Sequence, residues 1–313
     1  MKLVDEYTYL GLLIIPSGSL NAALLELCKK ANRAYFSIQN ILFTHKKMPV
    51  LQALKLVDSL VFPVCNYASD FITPLIMTNK SYTSTENLLQ FWEQYEPEKI
   101  NQRICRLLLS VHKKSSRLAV LGELGRYPVF LTSLKNTLKY CQVLLQKPQS
   151  TLVYNVMRDM EQMCNIGQDC WLSKVKMISQ LLDLPTFDSY ISPNIVGHKS
   201  KFQLENKFQT FFLSAINQLK LSSDGQNHNK LRFYSSIKGC FKPEWYVTNI
   251  HNRNNRSEIT RIRISASNLR VEQDRYTTPP TPLNDRICKY CPNNTVFLLP
   301  TSKGVYMVKL IQL

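Results

Sequence analysis

Residues 19–41 read SLNAALLELCKKANRAYFSIQNI. Apolar side chains recur in this stretch at intervals of three and four, which is the period of one face of an α-helix; they are Leu20, Leu24, Leu27, Ala31, Ala34, Ile38 and Ile41. Ser19, which precedes the first of them, is a preferred N-cap residue. The stretch therefore predicts a long amphipathic helix that begins at Leu20.

The rest of the chain predicts a mainly α protein with a short N-terminal β strand. The run Tyr7–Ile15 is β-prone and ends at a Pro-Ser-Gly-Ser turn, so we expect one strand that needs a larger sheet to pair with. Stretch 221–229 is rich in Ser and Asn and is typical of a linker. Apolar periodicity predicts further helices at 48–61, 97–111, 128–145, 153–163, 171–182, 201–221, 230–240 and 243–250.

The positive charge of the chain is concentrated in two segments. The formal net charge is +17; residues 101–150 contain nine basic and one acidic side chain, and residues 201–313 contain seventeen and seven. Counterion release on binding grows with the number of phosphates that one surface contacts. The distribution therefore favours a polyanionic partner, with nucleic acid as the first candidate and an anionic membrane surface as the alternative.

Membrane-spanning and secreted classes do not fit the sequence. The most apolar segment, Leu56–Met77, is interrupted by Asp58 and Asp70, and spanning a bilayer takes about 20 predominantly apolar residues. Asp5 and Glu6 stand where a secretory signal would have basic residues. The nine cysteines are scattered and odd in number, which fits reduced thiols. We expect a cytoplasmic or nuclear protein without a membrane partner.

Common catalytic patterns are absent from the sequence. It has no adjacent aspartates for two-metal phosphoryl transfer, no Gly-rich phosphate loop, no Gly-x-Ser-x-Gly and no His-Glu-x-x-His. The five histidines are far apart along the chain. We expect no enzymatic activity from this chain by itself.

A basic amphipathic run occupies residues 255–276 and contains five arginines. Such a run is typical of a nucleic-acid-binding segment, and a solvated basic helix is the alternative. Aromatic residues precede the run and either stack on bases or belong to the core; they are Phe233, Tyr234, Trp245 and Tyr246.

Cys288 and Cys291 have the spacing of half a structural zinc site. Tetrahedral zinc needs two more Cys or His ligands, and residues 292–313 contain neither. Zinc would therefore require distant ligands such as Cys240 or His251. The alternative is two free thiols and no cofactor.

A second basic segment surrounds Arg117–Arg126, which reads RLAVLGELGR. Lys113 and Lys114 precede it, and Lys135 and Lys139 follow it. This arrangement suits contact with a phosphate backbone while the leucines pack inward. A helical core with a solvated basic rim is the alternative.

Four short blocks of residues occur in order along the chain. They are Tyr9-Leu-Gly11 with Gly18-Ser19 and Lys30-Ala31; Leu56-Val-Asp58 with Val61-Phe-Pro-Val64 and Asn66-Tyr-Ala68; Arg117 through Pro128, including Gly122-Glu-Leu-Gly-Arg126, with Leu138-Lys-Tyr140; and Leu231-Arg232, Tyr234, Lys238, Glu244-Trp-Tyr246, Arg263-Ile-Ser265, Leu269, Glu272, Arg275-Tyr276 and Arg286 before the cysteine pair. The ordered set resembles the C-terminal part of a non-LTR retrotransposon reverse transcriptase, comprising the thumb, the post-thumb region and the Cys motif. It covers nearly all of residues 5–291.

The chain also departs from that family. The family usually has His where Ser267 stands and Gly where Asp274 stands. Its cysteine motif continues to a His and a last Cys, whereas this sequence continues with Pro292-Asn-Asn-Thr295. The catalytic palm aspartates of the parent RNA-directed DNA polymerase are absent, so the chain resembles a fragment or the product of a decayed element.

The resemblance implies a thumb-like helical bundle followed by a second helical, basic C-terminal domain. The corresponding boundaries are a primer-grip-like strand and turn at 1–18, a thumb-like domain at 19–148, a helical connector at 149–222, a basic domain with a Cys-x-x-Cys remnant at 223–291 and a divergent tail at 292–313.

The expected function is non-catalytic binding of RNA or an RNA/DNA heteroduplex. Phosphate contacts position a duplex without reading its sequence, which suits a basic helical surface. One expected surface consists of Lys113, Lys114, Arg117, Arg126, Lys135 and Lys139, and the other consists of Arg256, Arg261, Arg263 and Arg270. The alternatives are a protein-interaction remnant, with a reverse-transcriptase palm supplied in trans as a partner, and a non-functional product of a decayed retroelement.

Overall fold

The computed structural model describes residues 5–44, 48–77, 82–184, 196–221 and 231–266, together with Pro279 and Thr281. In these residues the chain is mainly helical with a short N-terminal sheet, which confirms the predicted fold class. The elements are β1 (Tyr7–Tyr9), β2 (Leu12–Ile14), α1 (Leu20–Thr44), α2 (Val50–Leu60), α3 (Phe62–Cys65), α4 (Ser69–Ile76), α5 (Thr85–Gln90), a 3₁₀ turn (Phe91–Glu93), α6 (Glu96–Leu109), α7 (Arg117–Leu124), α8 (Val129–Leu145), α9 (Leu152–Asn165), α10 (Trp171–Leu181), α11 (Val196–Leu221), α12 (Arg232–Ile237), α13 (Trp245–Asn249) and α14 (Arg253–Arg263).

The apolar run Tyr7–Ile15 forms an antiparallel hairpin of β1 and β2, so the expectation of one strand was wrong. Leu10 and Gly11 form its tip with φ of 47° and 86°. Positive φ at two successive residues is what a two-residue hairpin turn of type I′ requires. The tip is held by Lys30 Nζ, which donates to the Gly11 carbonyl at 3.3 Å, and by the Tyr67 hydroxyl, which donates to the Leu10 carbonyl at 2.7 Å.

The chain divides into two compact units, and each unit is made of two separate segments. The first unit consists of Met1–Ile104 and Arg126–Phe211, and the second consists of Cys105–Gly125 and Phe212–Leu313. This division differs from the predicted boundaries, which run consecutively along the chain. The reason is that Cys105–Gly125 packs with residues that come about a hundred positions later, as the hydrogen bond from Tyr234 to Ala119 illustrates.

The core of the first unit is built around α1, α4 and α8. Helix α1 buries most of the apolar face that its sequence predicted, including Leu24, Leu27 and Ala31, but Ile41 near its C-terminal end is 46% exposed. An aromatic cluster lies beside α8, where the ring centroids of Tyr95 and Phe130 are 5.5 Å apart. Both rings are almost completely buried, so the cluster contributes strongly to the stability of this unit.

The core of the second unit surrounds α7. This short helix buries every residue from Ala119 to Leu124. The Tyr234 hydroxyl donates to the Ala119 carbonyl at 3.2 Å. A Cβ atom on Gly122 would come within 2.6 Å of the Phe212 ring, so only glycine fits this position without a shift of its neighbours. Close packing thus explains the glycine at position 122 of the sequence RLAVLGELGR.

Candidate nucleic-acid interface

The most exposed group of predicted phosphate-binding residues lies in the segment between α6 and α7. We call residues 112–117 the basic loop; it belongs to the second unit. Lys113, Lys114 and Arg117 are exposed. The loop leads into α7 through Ser116, whose hydroxyl accepts a hydrogen bond from the Ala119 backbone N–H at 3.4 Å.

The backbone of the basic loop is held by arginines. Arg106 Nη2 donates to the Ser115 carbonyl at 2.8 Å. Just before the loop, Ser110 has a φ of 55° and is bonded by two arginines of α14. Arg253 Nε donates to the Ser110 hydroxyl at 2.7 Å, and Arg261 donates twice to the Ser110 carbonyl, at 3.0 and 3.2 Å. These bonds hold one residue of the loop, Ser115, and one residue just before it, Ser110.

These bonds bring together residues that the sequence had assigned to two surfaces. Lys113, Lys114 and Arg117 were predicted in one surface and Arg261 in the other, and all four belong to the second unit. The Arg261 side chain is one third exposed and also pairs with Glu258 at 2.7 Å. Sequence reasoning missed Arg253, although its position directly before the arginine-rich run was a usable signal.

Arg263, also predicted to contact phosphate, is a buried structural cation. Its Nε lies 2.9 Å from Glu123 and its Nη2 lies 3.0 Å from Glu244. The Glu123 side chain is completely buried and also accepts a hydrogen bond from the Tyr246 hydroxyl. Burial by itself would lower the pKa of Arg263, but the neighbouring carboxylates raise it above its usual range. Both carboxylates thus hold the Arg263 guanidinium within the second unit, where its side chain is 16% exposed.

Two further arginines of the predicted surfaces are held by intramolecular bonds. Arg126 makes a bidentate ion pair with Asp58, in which Nη2 lies 2.6 Å from Oδ1 and Nη1 lies 3.1 Å from Oδ2. The Arg126 side chain is 11% exposed. Arg256 is 6% exposed and donates to the Ile250 carbonyl at 3.0 Å. Burial lowers the pKa of Arg256. These guanidinium groups stabilise the protein interior.

The remaining predicted residues fall in other places. Lys135 is half-buried and Lys139 is exposed; both lie on α8, in the first unit. Arg270, Cys288 and Cys291 lie outside the described residues, as do the linker at 222–229 and the tail at 292–313.

The zinc hypothesis stays a prediction. Cys240, one of its two suggested distant ligands, is exposed. Within the described ranges, no group of three or more His, Cys, Asp and Glu residues is placed to hold a metal ion.

The aromatic residues of the basic C-terminal region divide between the core and the surface. Tyr234 and Tyr246 are buried, as the core alternative predicted. Burial, and then the adjacent Glu123 carboxylate, raise the pKa of Tyr246. Trp245 is 71% exposed, so its ring is accessible for stacking.

Comparison of the chain with protein-family models, with curated proteins and with solved structures gave no match. The described helices include none of the length and apolar character needed to cross a membrane.

A buried carboxyl group in the first unit forms a network with Arg126. Glu98 is completely buried and accepts hydrogen bonds from the Phe130 backbone N–H at 3.1 Å and from the Asn101 side chain at 2.9 Å. The Asn101 amide oxygen accepts in turn from Arg126 Nε at 2.7 Å. Burial raises the pKa of Glu98 to about 7, although the hydrogen bonds oppose this shift.

We expect the stability of the protein to carry a pH dependence that comes from Glu98. A folded-state pKa above the unfolded value means that the native protein binds the extra proton, so stability is lost as the pH rises from about 4.5 to about 7. The contribution of this group amounts to about 3 kcal/mol over that range. Urea unfolding at pH 5 and pH 8 measures it. Glu98→Gln should have a smaller loss of stability between the two pH values than the wild type, and an equal loss would contradict the assignment.

Proposed function

We propose that this chain binds nucleic acid, as RNA or an RNA/DNA heteroduplex, through phosphate contacts and without catalysis. The observation that carries the proposal is the basic loop, a cluster of exposed cations. Arg106 bonds to the loop backbone at Ser115, and Arg253 and Arg261 bond to Ser110 just before the loop. A loop whose backbone is held in place binds a polyanion with less loss of backbone freedom than a flexible loop does.

Local charge supports a phosphate partner for the basic loop. Among the described residues, no ion pair joins Lys113 or Lys114 to an acidic side chain. The one acidic residue between positions 101 and 150 is Glu123, which is buried and paired with Arg263. Residues 101–150 therefore contain no surface carboxylate that would cancel the positive electrostatic field of the loop. This field attracts phosphate.

The resemblance to a retrotransposon reverse transcriptase supports the same function. In that family the thumb and the regions after it hold a template–primer duplex or RNA while the palm performs the chemistry. This chain contains the corresponding blocks without the palm aspartates, so we propose a fragment that retains a grip on nucleic acid. A palm supplied in trans is a proposed protein partner.

Removing the positive charge of the basic loop should weaken binding and reduce its dependence on salt. We expect the triple variant Lys113→Ala/Lys114→Ala/Arg117→Ala to lower the slope of log K against log salt by about 2 to 3, because each phosphate contact contributes about 0.9 to that slope on B-DNA. Fluorescence anisotropy with a short RNA/DNA heteroduplex across a salt series measures both the affinity and the slope.

A charge-matched control separates the loop from a general effect of net charge. Three lysines outside the basic loop each pair with an acidic residue; they are Lys29, Lys99 and Lys207. Replacing these three by Ala removes the same formal charge and should change the slope less than the loop variant does. Equal effects of the two triple variants, or no effect of the loop variant, would remove the basic loop from the interface.

A second candidate function is protein binding through the N-terminal hairpin. Tyr7, Tyr9 and Leu10 are 60%, 57% and 71% exposed, and a two-stranded sheet by itself has little stability in water. An exposed apolar hairpin of this kind favours a partner that covers it. If the loop variant keeps the affinity and the salt slope of the wild type, this protein-interaction function becomes the better explanation.

A further inference from the structure

Two cysteine thiols face each other at the turn between α9 and α10. The Sγ atoms of Cys164 and Cys170 are 3.5 Å apart, and both side chains are partly exposed. The turn between them contains Gly167 with a φ of 75°, and no other atom lies within 4 Å of the position where its Cβ would be. The pair is therefore close together, accessible to a small reagent and joined by an uncrowded turn.

The environment of the other described cysteines is different. Cys28, Cys65, Cys105 and Cys141 are buried, and burial raises the pKa of the Cys141 thiol to about 12. Cys240 is exposed, and the structure shows no second thiol beside it among the described residues. Only the Cys164 and Cys170 pair combines accessibility with a neighbouring sulfur in this part of the chain.

We propose that Cys164 and Cys170 form a reversible disulfide, with a low-molecular-weight disulfide such as glutathione disulfide as the oxidant. A disulfide requires about 2.05 Å between the sulfur atoms, so the two Sγ atoms must approach by roughly 1.5 Å. Rotation of the two side chains and adjustment of the glycine turn supply this movement.

The reaction is an ordinary thiol–disulfide exchange in two steps. The thiolate of Cys170, the N-cap residue of helix α10, attacks the glutathione disulfide first. It forms a mixed disulfide and releases one reduced glutathione. Cys164 then loses its proton to solvent, attacks the mixed disulfide, forms the protein disulfide and releases a second glutathione. The protein loses two electrons, and the glutathione disulfide gains them.

The disulfide would link α9, which is weakly packed, to α10, which is firmly packed. Helix α9 has one fully buried side chain, Met157. Helix α10 begins directly after Cys170 with Trp171, whose Nε1 donates to the Asp70 carbonyl at 3.2 Å and whose ring packs edge-on against Tyr140. Oxidation therefore ties the C-terminal end of α9 to an anchored position, and reduction releases it.

The test uses the full-length protein with Cys240→Ser, Cys288→Ser and Cys291→Ser, which leaves the pair as the accessible thiols of the described region. The protein is equilibrated in buffers with different ratios of reduced to oxidised glutathione, quenched with iodoacetamide and digested with trypsin. Cleavage after Arg158 and Lys174 gives one peptide, residues 159–174, that contains both cysteines and no others. We expect this peptide to be two hydrogen atoms lighter and free of alkylation in the oxidising buffers.

Two comparisons show whether the fold creates the pair. The native protein should form the disulfide at a ratio of reduced to oxidised glutathione at least about tenfold higher than the ratio at which the protein unfolded in urea forms it. The reason is that a native geometry that favours the disulfide stabilises it. The variant Cys164→Ser should instead accumulate a glutathione adduct on Cys170. A peptide with two alkyl groups or two glutathione adducts in the oxidising buffers would overturn the proposal, as would equal ratios for native and unfolded protein.

Discussion

Glu123→Ala is expected to destabilise the second unit by about 3 kcal/mol or more, because it removes one partner of a buried ion pair. Glu123 accepts from Arg263 through two hydrogen bonds, at 2.9 and 3.2 Å, and from the Tyr246 hydroxyl. After the substitution, Glu244 remains near Arg263, but that carboxylate also pairs with the buried Lys238. Urea unfolding followed by circular dichroism measures the loss.

Two variants show whether the loss comes from the buried pair. Glu258→Ala removes an exposed carboxylate that pairs with Arg261, and we expect it to cost less than about 1 kcal/mol. The double variant Glu123→Ala/Arg263→Met removes both members of the buried pair, so it should be more stable than Glu123→Ala alone. If the loss of stability in the double variant equals the sum of the losses in Glu123→Ala and Arg263→Met measured singly, the two residues act independently.

Gly125→Ala is expected to have the second large effect, about 3 kcal/mol, because two separate penalties add. Gly125 ends α7 with a φ of 56°, a conformation that costs an L-residue about 1 to 2 kcal/mol. Its new Cβ would also collide with the backbone N and the Cδ of Pro243, and with the Lys242 carbonyl carbon at 2.5 Å. Forcing extra volume into a packed site typically costs about 1 to 3 kcal/mol more.

Gly167→Ala is the matched control for this substitution. Gly167 also has a positive φ, of 75°, but nothing lies within 4 Å of the position of its Cβ. The backbone penalty alone should apply there, so we expect a loss of about 1 kcal/mol. The difference between the unfolding midpoints of Gly125→Ala and Gly167→Ala measures the cost of the steric clash at Gly125. Equal losses at the two glycines would mean that Pro243 does not pack against Gly125 as the structure describes.

Local sequence patterns predicted most helices of the described region and failed where the pattern was interrupted. Helix α1 follows directly from the spacing of Leu24, Leu27 and Ala31, which are buried as expected. Helix α4 was not predicted, because it is only eight residues long and contains Pro74. The hairpin was mistaken for one strand because its turn is Leu10-Gly11, a sequence that lacks the Asn or Asp typical of such turns.

The candidate site was predictable in charge but not in partners. The lysines of the basic loop are exposed, as a charged segment without nearby carboxylates suggests. Arg126 and Arg263 have the same chemistry, yet each binds an acidic residue that is 68 or 140 positions away in the sequence. Arginine spacing cannot show such a partner, because the pairing depends on tertiary packing.

The two-segment construction of the second unit has a consequence for the synthesis of the protein. Glu123 leaves the ribosome long before Arg263, which follows 140 residues later. At typical elongation rates this interval is on the order of ten seconds, far longer than a helix takes to form. During that time the Glu123 carboxylate lacks its partners Tyr246 and Arg263, and at first the Ala119 carbonyl lacks Tyr234. The nascent chain must therefore keep α7 solvated, or shielded by a chaperone, until α12, α13 and α14 have been made.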